Sequence, residues 1–126
     1  MTLKLLQTQG RLSAVKHYMD GQHYACDFVI SPTGRNSTDW SIVTPFKVDL
    51  SNGHDTIVIV GAMKNNTLLP AAIANLSTGE KYAIIFAWEI LFRDDAGFFA
   101  MFKDKAYVKT EVEAALDAAI SKHFGR

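Results

Sequence analysis

The sequence predicts an α+β fold, a mostly antiparallel, strongly bent sheet of about six strands with helices packed on one side. Three observations lead to this prediction. The dipeptides Asp20-Gly21 and Asn52-Gly53 each lie between runs of strand-like residues, and both tolerate the positive φ angles of tight turns. Residues 56–63 are apolar nearly throughout, as in a strand buried on both faces. The C-terminal region has the apolar stripe of an amphipathic helix.

Turns and periodicity give the predicted order ββββαββα. Consecutive strands joined by tight turns run antiparallel, so the sheet is expected to be a series of hairpins interrupted by one helix. The predicted strands cover residues 10–19, 22–30, 40–50, 56–63, 81–92 and 98–103, and the predicted helices cover residues 68–76 and 110–123.

Local residue chemistry supports individual strands. Pro45 lacks a backbone N–H, so the third strand is predicted to be an edge strand or to carry a bulge. Aromatic and aliphatic residues alternate along 81–92, which favours a long fifth strand. The four residues 94–97, Asp-Asp-Ala-Gly, have the length and the terminal glycine of a hairpin loop before the sixth strand.

Capping residues support the two helices. Thr67 or Asn66 can cap the first helix, and Pro70 is tolerated within its first turn. Thr110 and Glu113 have the spacing of a capping box, which predicts the start of the last helix.

The segment 2–19 allows a second interpretation. Its apolar residues also fit a broken helix, although Gly10 counts against one. With a helix there, the element order resembles that of the small dimeric chaperones of type III secretion. A partly open five-stranded barrel of the oligonucleotide-binding type is a further alternative, with one strand fewer than the sequence predicts.

Composition narrows the class of protein. A chain of 126 residues has the size of one domain, so residues 1–126 are expected to form a single unit. Lysine plus arginine total 13, as do aspartate plus glutamate, and no basic cluster is visible in the sequence. Nucleic-acid binding is therefore not expected, because duplex binding depends on clustered positive charge.

The predicted environment is the cytoplasm. Cys26 is the single cysteine and cannot form an internal disulfide, so a reduced, buried thiol is expected. The apolar stretch at residues 1–6 is too short for a signal-peptide core or a membrane span. No motif indicates a cofactor, and no membrane association is expected.

Glu89 is the weak candidate for catalysis. It interrupts the apolar run 82–92, and a desolvated carboxylate there would have a raised pKa suited to general acid–base chemistry. Exposure at a strand end, or pairing with Arg93 or a lysine, is the simpler interpretation.

Five other residues are weak candidates for binding. His17 and His23 flank the first hairpin turn and could form half of a metal site, although a third ligand is needed and no metal is expected. Arg35 and Asn36, in the polar loop 31–39, could hold an anion. Trp88, in the aromatic set of the fifth strand, could contact a ligand.

The expected function is that of a small, non-enzymatic binding or adaptor protein acting as a homodimer through the 81–103 hairpin, which is apolar on both faces. The alternatives are a small enzyme, or a small-molecule-binding protein, with a pocket around Glu89, and then nucleic-acid binding. The partner is expected to be a protein or a small molecule.

Overall fold

The computed structural model describes residues 3–125 and confirms the predicted fold class: an antiparallel, curled half-barrel sheet with two α-helices on one side. No helix in the described part of the chain is long and apolar enough to cross a membrane. The elements are β1 (Lys4–Asp20), β2 (His23–Ser31), β3 (Thr38–Thr44), β4 (Asp55–Ala62), β5 (Leu68–Asn75), β6 (Lys81–Ala83), α1 (Ile85–Ala96), a 3-10 helix (Gly97–Phe102) and α2 (Ala106–His123).

The sheet curls because the long strand β1 pairs with β4 along its first half and with β2 along its second half. The strand order is β3-β2-β1-β4-β5-β6, and every pair of neighbours is antiparallel. Residues 4–11 of β1 pair with β4, and residues 11–20 pair with β2. The two halves meet at Arg11, and a bulge between Ser13 and Lys16 interrupts the half that pairs with β2, where Ala14 has φ 52°. Bulges bend a strand and increase its twist, which turns a flat sheet into a half-barrel.

The core has two layers, one on each face of β4 and β5. Alternate residues such as Val58 and Ile73 face the interior of the half-barrel, where they pack on Leu12 and Phe28. The intervening residues, such as Ile57, face the two helices. The strand predicted over residues 56–63 is therefore confirmed as buried on both faces.

The N-terminal segment is a strand from Lys4 onward, so the broken helix over residues 2–19 is wrong. Without that helix, the order resembling the type III secretion chaperones does not arise. The sheet is a curled half-barrel of six strands, one more than the five-stranded barrel considered as an alternative.

The helix predicted over residues 68–76 is wrong, because this segment is β5, paired with β4 and β6. Pro70 is tolerated because the β4–β5 register shifts beside it and β6 pairs only with residues 72–74. A proline at a bulge on a locally unpaired edge removes no ladder hydrogen bond.

The long strand predicted over residues 81–92 and the strand over 98–103 are also wrong. Only Lys81–Ala83 is extended, and α1 and the 3-10 helix follow. Ala87, Leu91 and Ala96 are buried at helical spacing. Gly97, expected in a hairpin loop, instead ends α1 with φ 51°, a positive φ that glycine adopts more readily than other residues. No 81–103 hairpin exists.

The two predicted turns differ in outcome. Asp20-Gly21 joins β1 to β2 as expected. Asn52-Gly53 joins strands that are not neighbours, and it packs on β1 instead, where Gly53 N donates to Leu12 O (2.8 Å). β3 lies at the edge of the sheet, as Pro45 predicted.

The last helix is confirmed but begins earlier than predicted. It starts at Ala106, whose N–H donates to Asp104 Oδ1 (2.9 Å). Thr110 lies inside the helix and donates to Ala106 O (3.2 Å), so it forms no capping box.

Candidate functional site

The most unusual surface is the 3-10 helix Gly97–Phe102, here called the apolar segment. Its large side chains are almost fully exposed: Phe98 86%, Met101 83%, Phe102 76% and Phe99 58%. Burying such a side chain is worth roughly 1.5–3 kcal/mol, so exposing four together is unfavourable for an isolated chain. Contiguous exposed apolar groups of this kind are typical of interaction sites.

The apolar segment is exposed while the ends of α1 and α2 on either side of it contact each other directly. Tyr107 donates a hydrogen bond to Asp95, and the Tyr107 ring lies 6.0 Å from that of Phe92. Burial, together with that hydrogen bond, raises the pKa of Tyr107, so the phenol keeps its proton. Phe98 and Phe99 contact each other edge to face, with their centroids 5.4 Å apart. The four exposed side chains of the apolar segment therefore take no part in the contact between Tyr107 and α1.

An apolar groove of about 310 Å³ lies between the first turns of α1 and α2. Trp88, predicted as a ligand contact, forms one wall, and its indole Nε1 is anchored to Ala71 O (2.7 Å). The groove is lined by Ile85, Trp88, Glu89, Asp104, Lys105, Ala106 and Lys109.

Glu89 lies on α1 and at the rim of this groove. Lys105 Nζ donates to its carboxylate at 2.6 Å, and both side chains are open to solvent. The hydrogen bond from Lys105, and then the positive charge of Lys105, lower the pKa of Glu89. The raised pKa expected for a buried general acid is therefore absent, and the pairing with a lysine agrees with the simpler interpretation.

The two candidate metal ligands, His17 and His23, do not face each other. His17 pairs with Cys26 in the β1–β2 register, and its Nε2 lies 2.7 Å from Leu50 O. His23 pairs with Asp20, so alternation places it on the opposite face. Residues 3–125 contain no group of three His, Cys, Asp or Glu side chains that could hold a metal ion.

Arg35 lies in a different place, at a polar cleft of about 850 Å³ beside β1. Arg11 and Lys122, which are far from it in sequence, line the same cleft. Asn36, its neighbour in the loop, is not among the lining residues. We call this feature the basic cleft.

The sequence did not predict the helical form of the apolar segment, and of the three cations in the basic cleft it indicated only Arg35. The run 97–102, Gly-Phe-Phe-Ala-Met-Phe, lacks the strict alternation of a half-buried strand, and this was the available signal that it is not one. The basic cleft has no local signal, because Arg11, Arg35 and Lys122 meet only when the chain folds.

Comparisons with protein-family models, with curated proteins and with solved structures found no match to this chain. What the protein binds must therefore be inferred from its own surfaces.

Proposed function

We propose that the protein is a non-enzymatic binding protein that acts as a homodimer, in which the apolar segment of each copy packs into the apolar groove of the other. The exposure of Phe98, Met101 and Phe102 is the observation that carries this proposal. The proposed contact overlaps the region expected from the sequence, residues 81–103, and extends to Lys109, but it involves helices and not a hairpin.

The exposed area suits a dimer. Three phenylalanines and one methionine at these exposures present roughly 500 Å² of mostly apolar surface. The groove walls, including Ile85 at 43% exposure, extend the same surface. Together they approach the roughly 800 Å² that each partner buries in an interface of standard size.

A second copy fits because one chain carries both halves of the contact. The apolar segment ends at Phe102, two residues before Asp104 of the groove, so the two surfaces follow each other along the chain. A twofold axis then lets segment and groove pair twice, and such closed, reciprocal contacts are the commonest in oligomers.

The charges at the groove favour a second copy of the chain, and not an anionic membrane, as the occupant of the groove. Glu89 and Asp104 are matched by Lys105 and Lys109, so the rim is balanced. A balanced rim does not repel its own copy, whereas attachment to an anionic lipid surface depends on an excess of lysine and arginine.

The test is sedimentation velocity of the full chain and of single variants at low micromolar concentration. We expect the unmodified protein to sediment at about twice the 14.0 kDa chain mass. Phe98→Ser and Phe102→Ser should each shift it toward the monomer. Phe124→Ser is the matched control, because Phe124 is 54% exposed but lies at the far end of α2 and should leave the dimer intact.

Two results would contradict the proposal. One is a monomer at every concentration tested. The other is a dimer that Phe98→Ser, Phe102→Ser and Phe124→Ser weaken equally. A monomer that floats with anionic vesicles through Phe98 and Phe102 would replace the second copy by a membrane as the occupant.

A further inference from the structure

The basic cleft is built by parts of the chain that are distant in sequence. β1 supplies its floor through Gln7, Gln9 and Arg11, and the loop after β2 supplies one wall. Lys122, in the last turn of α2, and Asp55, at the start of β4, also line the cleft.

Backbone packing fixes the loop wall. Gly10 allows the backbone of Ser31 and Pro32 to lie directly against β1, since a Cβ at position 10 would come within 2.4 Å of Ser31 O. Arg35 N donates to Pro32 O (3.4 Å), which closes a turn that carries Arg35 to the cleft. The wall is therefore held at β1 by contacts that leave no room for a larger residue.

The helical wall is fixed as well. Gln9 Nε2 donates to His123 Nδ1 at 2.5 Å and joins the end of α2 to the middle of β1. Lys122 is thereby held over the same strand as Arg11. The cleft is a feature of the folded chain and not of one mobile loop.

The electrostatics favour an anion. Arg11, Arg35 and Lys122 contribute three positive charges, and Asp55 contributes one negative charge. The two salt bridges among residues 3–125 involve other side chains, so none of these three cations is neutralised by a salt bridge within the described chain. The net charge of about +2 matches a phosphate monoester, and arginine binds phosphate through two parallel hydrogen bonds.

The size favours a ligand larger than the phosphate itself. About 850 Å³ is within the range of small-molecule sites. Gln7, Thr8 and Thr33 line the cleft and can hydrogen-bond hydroxyl groups or a heterocycle. We propose that the basic cleft binds the phosphate group of a small polar phosphate monoester, such as a nucleoside monophosphate or a sugar phosphate.

This site is independent of the proposed dimer. Lys122 is at the C-terminal end of α2, whereas the apolar segment precedes its N-terminus, about 27 Å away for a helix of 18 residues. Neither surface needs the other, so each proposal can fail alone.

The test is titration followed by ¹⁵N–¹H NMR spectra and calorimetry on the full chain. The probes are inorganic phosphate, adenosine monophosphate, glucose 6-phosphate and a single-stranded oligothymidylate of about ten nucleotides. We expect at least one monoester to bind with a Kd below about 1 mM and to shift the amides of Gly10, Thr33 and Arg35.

Variants decide whether the cleft is the site. Arg11→Gln and Arg35→Gln should each weaken monoester binding about tenfold or more, because each removes a charge-assisted hydrogen bond. Asp55→Asn should tighten binding by removing a like charge. Arg93→Gln is the matched control, since Arg93 is exposed on α1 and should leave the affinity unchanged.

The proposal is overturned if neither monoester binds, or if Arg93→Gln weakens binding as much as Arg35→Gln does. Binding by the oligonucleotide alone, lost steeply with added salt, would also overturn it and would assign the cleft to nucleic acid.

Discussion

Ala14 shows how one residue can shape the whole sheet. Its φ of 52° is in the left-handed region, which is unfavourable for any residue with a Cβ. The conformation is held because Val15 N, in the same bulge, donates to Asn52 Oδ1 (2.9 Å). The strain at Ala14 therefore accompanies the bulge in the part of β1 that pairs with β2.

Replacing Ala14 by glycine should therefore stabilise the protein by up to about 1 kcal/mol, because relief of the strain outweighs the added freedom of the unfolded chain. Ala118→Gly is the control, since Ala118 is exposed within α2 and the same change should destabilise the fold by about 1 kcal/mol. Urea denaturation measures both free energies of unfolding. Equal destabilisation by the two changes would show that position 14 is unstrained.

Cys26 is a buried thiol that is held in its protonated form. Its side chain is buried, and burial, together with the charge of Asp27, raises the pKa of the thiol from 9.0 to about 11. The thiolate is the reactive form, so the folded protein should resist thiol reagents at pH 8. We expect labelling by a chromogenic disulfide to be more than tenfold slower in the native protein than in urea.

The same shift predicts a pH dependence. The folded state holds the Cys26 proton more tightly than the unfolded state, so this contribution to stability is complete below about pH 9 and is lost as pH rises toward 11. The unmodified protein should lose on the order of 2 kcal/mol relative to Cys26→Ala over that range. Parallel pH profiles for the two proteins in urea denaturation would refute the raised pKa.

At the scale of elements, α2 completes the outer layer of the core. Val108, Val112 and Leu116 are buried against the outer faces of β4 and β5, with Ala119 continuing the stripe. Without α2, residues such as Ile57 and Ile59 would be exposed on a sheet that is already apolar on its other face.

Leu116→Ala should therefore lower the free energy of unfolding by about 2–5 kcal/mol, because it removes buried methyl groups and leaves a cavity. Glu113→Ala, on the exposed side of the same helix, should change it by less than about 0.5 kcal/mol. Chemical denaturation of both variants checks the difference. A small effect of Leu116→Ala would mean that α2 is not integral to the fold.

Elements were predictable where burial pattern and turn chemistry agreed. Residues 56–63 form a nearly continuous apolar run, the final helix has an apolar stripe, and Asp20-Gly21 closes a true hairpin. The strand predicted over 81–92 was wrong because residues that favour strands, such as Phe86 and Trp88, lie in a helix. The buried positions of that segment recur at helical spacing. Tertiary packing against β4 and β5 decided between the two periods.

The sites were less predictable than the fold, for a physical reason. Arg35 was a weak candidate anion ligand from its loop alone, and Arg11 and Lys122 join it at the cleft only through long-range pairing and helix packing. The partner of Glu89 was expected to be Arg93 or a lysine, and the structure supplies Lys105. Contacts between residues distant in sequence leave no local pattern to detect.

For the whole molecule, we propose that one surface forms the dimer and the other binds an anion. The apolar segment and groove lie at the junction of α1 and α2, and the basic cleft lies near the other end of α2. A dimer formed at the first surface would leave two copies of the basic cleft open to solvent. The protein would then present two equivalent anion sites on one twofold assembly.

Two copies of the chain are proposed to meet through the apolar segment and groove. Isotope-filtered NMR on a mixture of ¹³C-labelled and unlabelled chains tests it most directly, because only contacts between copies give filtered cross-peaks. We predict cross-peaks from the Phe98 or Phe102 ring of one copy to Ile85 or Trp88 of the other. Filtered cross-peaks confined to other surfaces, or none at a concentration where the chain sediments as a dimer, would contradict the account.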